Sequence, residues 1–117
     1  MVTISYEVLH RDSLRSTARR NRNKLQITQA ILEVARDGAG KTRIMYQANL
    51  SFKLLEDYLT VLVRAGLLKV KEGDRKMYMT SEKGLQFLRE FQELERYAAL
   101  ATARKNDLTK MLARAVS

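Results

Sequence analysis

The sequence has no cysteine, no proline and a single histidine, His10. Without cysteine there is no disulfide framework and no thiolate metal site, and one histidine cannot hold a metal without an all-carboxylate set around it. No metal and no cofactor is expected. No apolar run approaches the roughly 18 residues that span a bilayer. The opening MVTISYEVLHRD has no basic stretch followed by an apolar one, so a signal peptide is not expected either. These absences fit a soluble protein of a reducing, cytoplasmic compartment with no membrane partner. Acidic residues are also scarce: 13 against 22 Lys and Arg, a formal net charge of +9 on 117 residues. The length suits one core with an appended helix, not a multidomain enzyme, and the charge favours anionic partners.

The charge is unevenly spread. Residues 1–24 hold Arg11, Arg15, Arg19, Arg20, Arg22 and Lys24 against Glu7 and Asp12. Between 11 and 24 only Leu14 and Ala18 are apolar, too little to offset the entropy of ordering. Residues 1–22 therefore read as a basic arm that a partner orders. Arginine-bearing arms of this kind can lie in the minor groove of DNA; the alternative is a tail that binds nothing.

From Asn23 the pattern becomes helical. Ile27, Ile31, Leu32, Val34 and Ala35 share a face, which predicts a helix over about 24–37 stopped by Gly38-Ala39-Gly40. Thr42 then caps a short helix through Tyr46 and Ala48. Asn49-Leu50-Ser51 turns the chain, and Ser51 caps a third helix. Leu54, Leu55, Tyr58, Leu59, Leu62 and Val63 stripe that helix as far as Gly66. The period next falls to two. Leu68 and Val70 alternate with lysines, Glu72-Gly73-Asp74-Arg75 turns the chain, and Met77 and Met79 alternate with Lys76, Tyr78 and Thr80, the pattern of a β-hairpin. Thr80 or Ser81 caps a last helix. Its apolar positions Phe87, Phe91, Leu94, Ala98, Ala101, Leu108, Leu112 and Ala115 recur at steps of four and three, interrupted by Lys105. Asn106-Asp107 offers a break. A helix from 82 to at least 104 is too long for so small a core to cover, so a second copy is the economical partner. The seam would hold Phe87, Phe91, Leu94, Ala98, Ala101 and Leu108, with Lys105 favouring a short or antiparallel overlap.

The fold class is mainly α with a small β-hairpin, in the element order of a winged helix-turn-helix domain. The organisation is 1–22 arm, 23–81 DNA-binding domain and 82–117 dimerisation helix. The run Lys41-Thr42-Arg43-Ile44-Met45-Tyr46-Gln47-Ala48-Asn49-Leu50-Ser51-Phe52, with Leu59 and Gly66-Leu67-Leu68, resembles a segment of small archaeal winged-helix proteins. Thr80-Ser81-Glu82-Lys83-Gly84-Leu85 resembles the helix start after the wing in the same group. The resemblance covers roughly residues 22–95. It implies a chromatin-type protein or transcriptional regulator that binds double-stranded DNA in the nucleoid and pairs through an antiparallel coiled coil.

Lys53, Glu56, Asp57, Thr60 and Arg64 face away from the third helix's apolar stripe and sum to zero charge, which tilts the reading towards low sequence discrimination. Glu56 has two readings, an acceptor from a cytosine amino group or a merely solvated carboxylate. Ser51, Phe52 and Lys53 are better placed, at a helix end whose N–H groups favour phosphate. Lys41, Thr42 and Arg43 open the second helix, Arg75 and Lys76 sit at the hairpin tip, and Arg19, Arg20 and Arg22 belong to the arm. All are assigned to DNA, against the plain reading of solvated charge.

Gly38-Ala39-Gly40-Lys41-Thr42 imitates the end of a phosphate-binding loop, but position 35 is Ala where that loop needs glycine, and no strand precedes it. Met45, Tyr46, Met77, Tyr78 and Met79 are read as packing beneath the wing, not as an effector cavity. His10 has no acidic or nucleophilic companion, and no catalytic constellation is present, so an enzyme is not expected. The rival reading is a protein-interaction module whose winged helix is a scaffold docking on a larger assembly without appreciable DNA binding.

Overall fold

The computed structural model describes residues 22–116. In order they form α1 (Lys24–Val34), α2 (Lys41–Gln47), α3 (Phe52–Arg64), β1 (Leu68–Lys71), β2 (Met77–Thr80) and α4 (Glu82–Val116). The predicted arm, apart from Arg22, lies outside the described residues, so Arg19 and Arg20 do too.

Each element starts for a local reason. Asn23 and Gln26 form a reciprocal capping box at α1, with both side chain to backbone bonds at 2.9 Å. The helix ends at Val34 and not at 37: the Leu32 carbonyl accepts from the Thr80 hydroxyl at 2.7 Å, while the Arg36 N–H turns to the Glu33 carbonyl at 3.3 Å and the Gly38 N–H to the Ala35 carbonyl at 3.1 Å, a tighter turn that stops the helix. Thr42 does not cap α2. Ala39 and Tyr78 exchange both backbone hydrogen bonds, at 2.9 and 2.8 Å, and this bridge delivers the chain to Gly40, which serves as N-cap with no side-chain bond. Asn49 takes the left-handed conformation, φ 59°, to turn between α2 and α3. Ser51 caps α3 as expected, its Oγ accepting from the Leu54 N–H at 3.1 Å. Ser51→Ala should therefore cost about 1 kcal/mol, measured as a lowered midpoint in thermal or urea unfolding.

The hairpin pairs Leu68 with Thr80 and Val70 with Tyr78. Leu68 of β1 and Tyr78 and Thr80 of β2 are its buried residues, while Met77 is half-buried and Met79 exposed. Of the three residues expected to pack beneath the wing, Met77, Tyr78 and Met79, Tyr78 is the buried one and Met79 points outward. The physical reason is Thr80: its hydroxyl donates to the buried Leu32 carbonyl at 2.7 Å, and shifting a strand by one residue turns every side chain over. Tyr46 is also corrected, at 73% exposed. In a two-turn helix Ile44 and Ala48 already occupy the inward face, and a residue two positions from each points away.

The core gathers Ile27, Ile31 and Leu32 of α1, Ile44 of α2, and Leu55 and Tyr58 of α3. Leu68 and Tyr78 close it from the hairpin side and Leu88 from α4. Ser81 starts α4: its Oγ accepts from the Gly84 N–H at 3.0 Å and donates to the Gly66 carbonyl at 2.6 Å. The helix then runs through Asn106-Asp107 without a break. At 1.5 Å per residue it is about 52 Å long, and it sets the longest dimension of the molecule, 66 Å against 28 and 27 Å. From Gln92 to Val116 every described side chain is exposed.

Candidate nucleic-acid interface

The first turn of α2, the N-terminal half of α3 and the far end of the hairpin lie together. Gly40 makes this closeness explicit, since a Cβ added there would sit 3.8 Å from the Lys76 carbonyl, one residue from Lys41. Across the α2–α3 turn, the Lys41 ammonium forms an ion pair with Glu56 and stands 5.7 Å from the centre of the Phe52 ring. The hydrogen bond that Lys41 donates to Glu56 pushes the Lys41 pKa up from its ordinary value, against the opposing effect of desolvation. One turn along, Lys53 lies 3.6 Å from Asp57. The zero net charge of the exposed α3 face thus takes a specific form: its two carboxylates are each paired with a lysine, Glu56 with Lys41 of α2 and Asp57 with Lys53 of α3 itself.

The other predicted contact residues divide by what they hold. Thr42, Arg43, Phe52, Arg75 and Lys76 are exposed, and Arg43 reaches back to the Gly38 carbonyl at 3.3 Å. Ser51 has its hydroxyl engaged in the cap of α3. Arg22 is tied into the domain, its guanidinium donating to the Ala48 and Asn49 carbonyls at 2.9 and 3.0 Å. It satisfies the last carbonyls of α2 and anchors the start of the described chain beside the helix-turn-helix. The Lys41–Glu56 pair had no signal in the sequence, because its members are fifteen residues apart on different helices.

Three known structures are similar to this chain. Sso10a-2, a DNA-binding protein from Sulfolobus solfataricus, is 29% identical; the match covers 78% of this chain and 97% of that one, with a TM-score of 0.73. MepR of Staphylococcus aureus, in a complex with DNA, is 20% identical over 95% of this chain and 94% of its own, with a TM-score of 0.55. The transcriptional regulator BldR from Sulfolobus solfataricus is 14% identical over 96% and 88%, at 0.58. No curated protein sequence matches. The winged helix-turn-helix family model matches residues 21–99. The chain belongs to the winged helix-turn-helix family. In its terms α3 is the recognition helix, the β1–β2 hairpin is the wing, and α4 is the long helix that follows the wing, as the resemblance to archaeal winged-helix proteins implied.

Away from the helix-turn-helix, the winged helix presents a second surface along α4. Phe87 and Phe91 stack with ring centres 6.3 Å apart and planes at 9°. Phe91 is buried and Phe87 half-buried within the protomer, whereas Leu94 is half-exposed and Ala98, Ala101 and Leu108 are exposed. Leu25, Phe87, Phe91 and Leu94 line an apolar notch of about 140 Å³ with Glu90 at its edge. Tyr97, Met111 and Leu112 extend the exposed apolar surface, and Tyr97 and Met111 had not been placed on it. Among the described residues no helix is long and apolar enough to cross a membrane, and no group of three His, Cys, Asp or Glu could hold a metal ion.

Proposed function

We propose that this chain binds double-stranded DNA as a homodimer, in the role of a transcriptional regulator or a chromatin-type protein. The observation that carries the reading is the clustering of the α2 first turn, the exposed N-terminal half of α3 and the basic wing end in a chain whose net charge is +9. The 29% identity with a DNA-binding protein over nearly its whole length supports it. Lys41, Thr42, Arg43, Lys53, Arg75 and Lys76 contact phosphates, while Phe52 stands at the recognition-helix end nearest the groove. Ser51 and Arg22 contribute by holding that end and the neighbouring turn in place. Arg19 and Arg20 follow the minor groove from the arm. Two copies pair through α4, which presents two recognition helices to one duplex and multiplies the phosphate contacts without new surface.

The test is affinity for random duplex DNA across salt. A dimer making about 6–10 phosphate contacts should lose roughly 10³–10⁵ in affinity between about 50 and 200 mM salt. A shallow slope, or no binding at low salt, would favour the protein-interaction module instead. The carboxylate partners already held by Lys41 and Lys53 are the observation on that reading's side.

A further inference from the structure

We propose that Glu56 is a selectivity residue: its carboxylate holds Lys41 back from the DNA backbone until an exocyclic amino group on a base edge, that of cytosine above all, replaces Lys41 as its partner. The inference rests on the DNA-binding reading and deepens it.

The pair bridges two helices, and its side chains are 36% and 38% exposed, open to an incoming ligand yet not fully hydrated. The ammonium stands 5.7 Å from the ring centre of Phe52, the first residue of α3. There the first N–H groups of the helix and its positive dipole end favour phosphate. A phosphate that approaches Lys41 therefore meets the Glu56 carboxylate at the same place, and the two anions repel. The pair must open before Lys41 can serve the backbone.

Opening leaves Glu56 on the exposed face of the recognition helix with acceptor atoms alone to offer. In the major groove guanine presents O6 and N7 and thymine presents O4, all acceptors, which a carboxylate avoids. Cytosine presents its 4-amino donor with no adjoining acceptor, while adenine pairs its 6-amino donor with the N7 acceptor. A site with cytosine at this position satisfies Glu56 and releases Lys41 to phosphate. A site without it keeps the ion pair closed and loses that phosphate contact. The neighbouring Lys53–Asp57 pair is no comparable latch, since Lys53 is 79% exposed, the separation is 3.6 Å and both belong to one helix.

The experiment compares the full chain with Glu56→Gln, Lys41→Ala and the double variant. Each is bound to a randomised duplex pool over a salt series, and the retained DNA is sequenced. Glu56→Gln should bind the pool about two- to fivefold more tightly at low salt, the range an exposed ion pair supplies. Its log–log salt slope should steepen by about 1.8, one phosphate contact from each protomer of the dimer. Cytosine enrichment at one position, present in the parent protein, should vanish. On the Lys41→Ala background the same change should give no gain in affinity or slope. Equal affinity, slope and base preference in the parent and Glu56→Gln would overturn the proposal while leaving DNA binding intact. So would a gain that persists undiminished without Lys41. A parent protein that binds no duplex at low salt would overturn the DNA-binding reading itself, and this inference with it.

Discussion

Gly84→Ala should destabilise the domain by about 3 kcal/mol or more, lowering the thermal midpoint by roughly 10 °C or more. Gly84 lies in the first turn of α4, where alanine is ordinarily worth up to about 1 kcal/mol more than glycine. Packing reverses that preference. A Cβ at this position would lie 2.4 Å from the Leu67 carbonyl oxygen and 2.6 Å from the Thr80 methyl. Neither neighbour can retreat cheaply. The Leu67 oxygen also accepts from the Ser81 N–H at 3.0 Å, and Thr80 is held by its buried bond to Leu32. The substitution must therefore lift the start of α4 away from the wing or break the Ser81 cap. Either movement also changes the direction in which the long helix leaves the domain. A melting curve superimposable on that of the parent protein would show that α4 does not seat on the hairpin this closely.

That close approach illustrates which parts of the molecule the sequence made legible. Elements governed by neighbours in the chain could be read directly: the Ser51 cap, the left-handed Gly66 (φ 80°) that ends α3, and the Glu72-Gly73-Asp74-Arg75 turn between the strands. Elements decided by distant partners could not. Alternation in β2 is compatible with either face inward, and the choice fell to a hydrogen bond between Thr80 and Leu32, 48 residues apart. The start of α2 was settled by the Ala39–Tyr78 bridge and not by a capping side chain. The candidate interface divides the same way. Lys41, Phe52 and Lys76 were singled out one by one from charge and position, but their closeness required the fold, and so did the ion pair that changes what Lys41 has to offer. The Asn106-Asp107 break did not occur, because nothing in the helix forces one: the chain has no proline, and α4 continues its hydrogen bonding through both residues.

Leu108→Asp combined with Leu112→Asp should convert a dimer to a monomer, halving the mass in sedimentation equilibrium, and should weaken duplex binding by about 10²–10⁴ as the two-site advantage is lost. The expectation follows from the proposed pairing of α4. An antiparallel overlap centred between Ala98 and Ala101 sets those two small residues against each other at the dyad and lets the helices approach closely. The same register faces Phe91 with Leu108 of the second copy and Phe87 with Leu112 of the second copy, which fills the notch beside Leu25. Lys105 then lies against Leu94, so its stem packs along the seam while its ammonium reaches water beside the acidic stretch at Glu90, Glu93 and Glu95. A parallel in-register pair would set Lys105 against Lys105. Leu108 and Leu112 are the positions to change, because they are 57% and 68% exposed in the protomer and face Phe91 and Phe87 of the second copy, whereas Phe91 is buried and belongs partly to the domain itself. An aspartate there costs the free protomer little and places a carboxylate in the proposed apolar seam. Unchanged melting of the isolated domain signals, together with loss of the dimer, would separate the pairing from folding; a double variant that still sediments as a dimer would refute this seam.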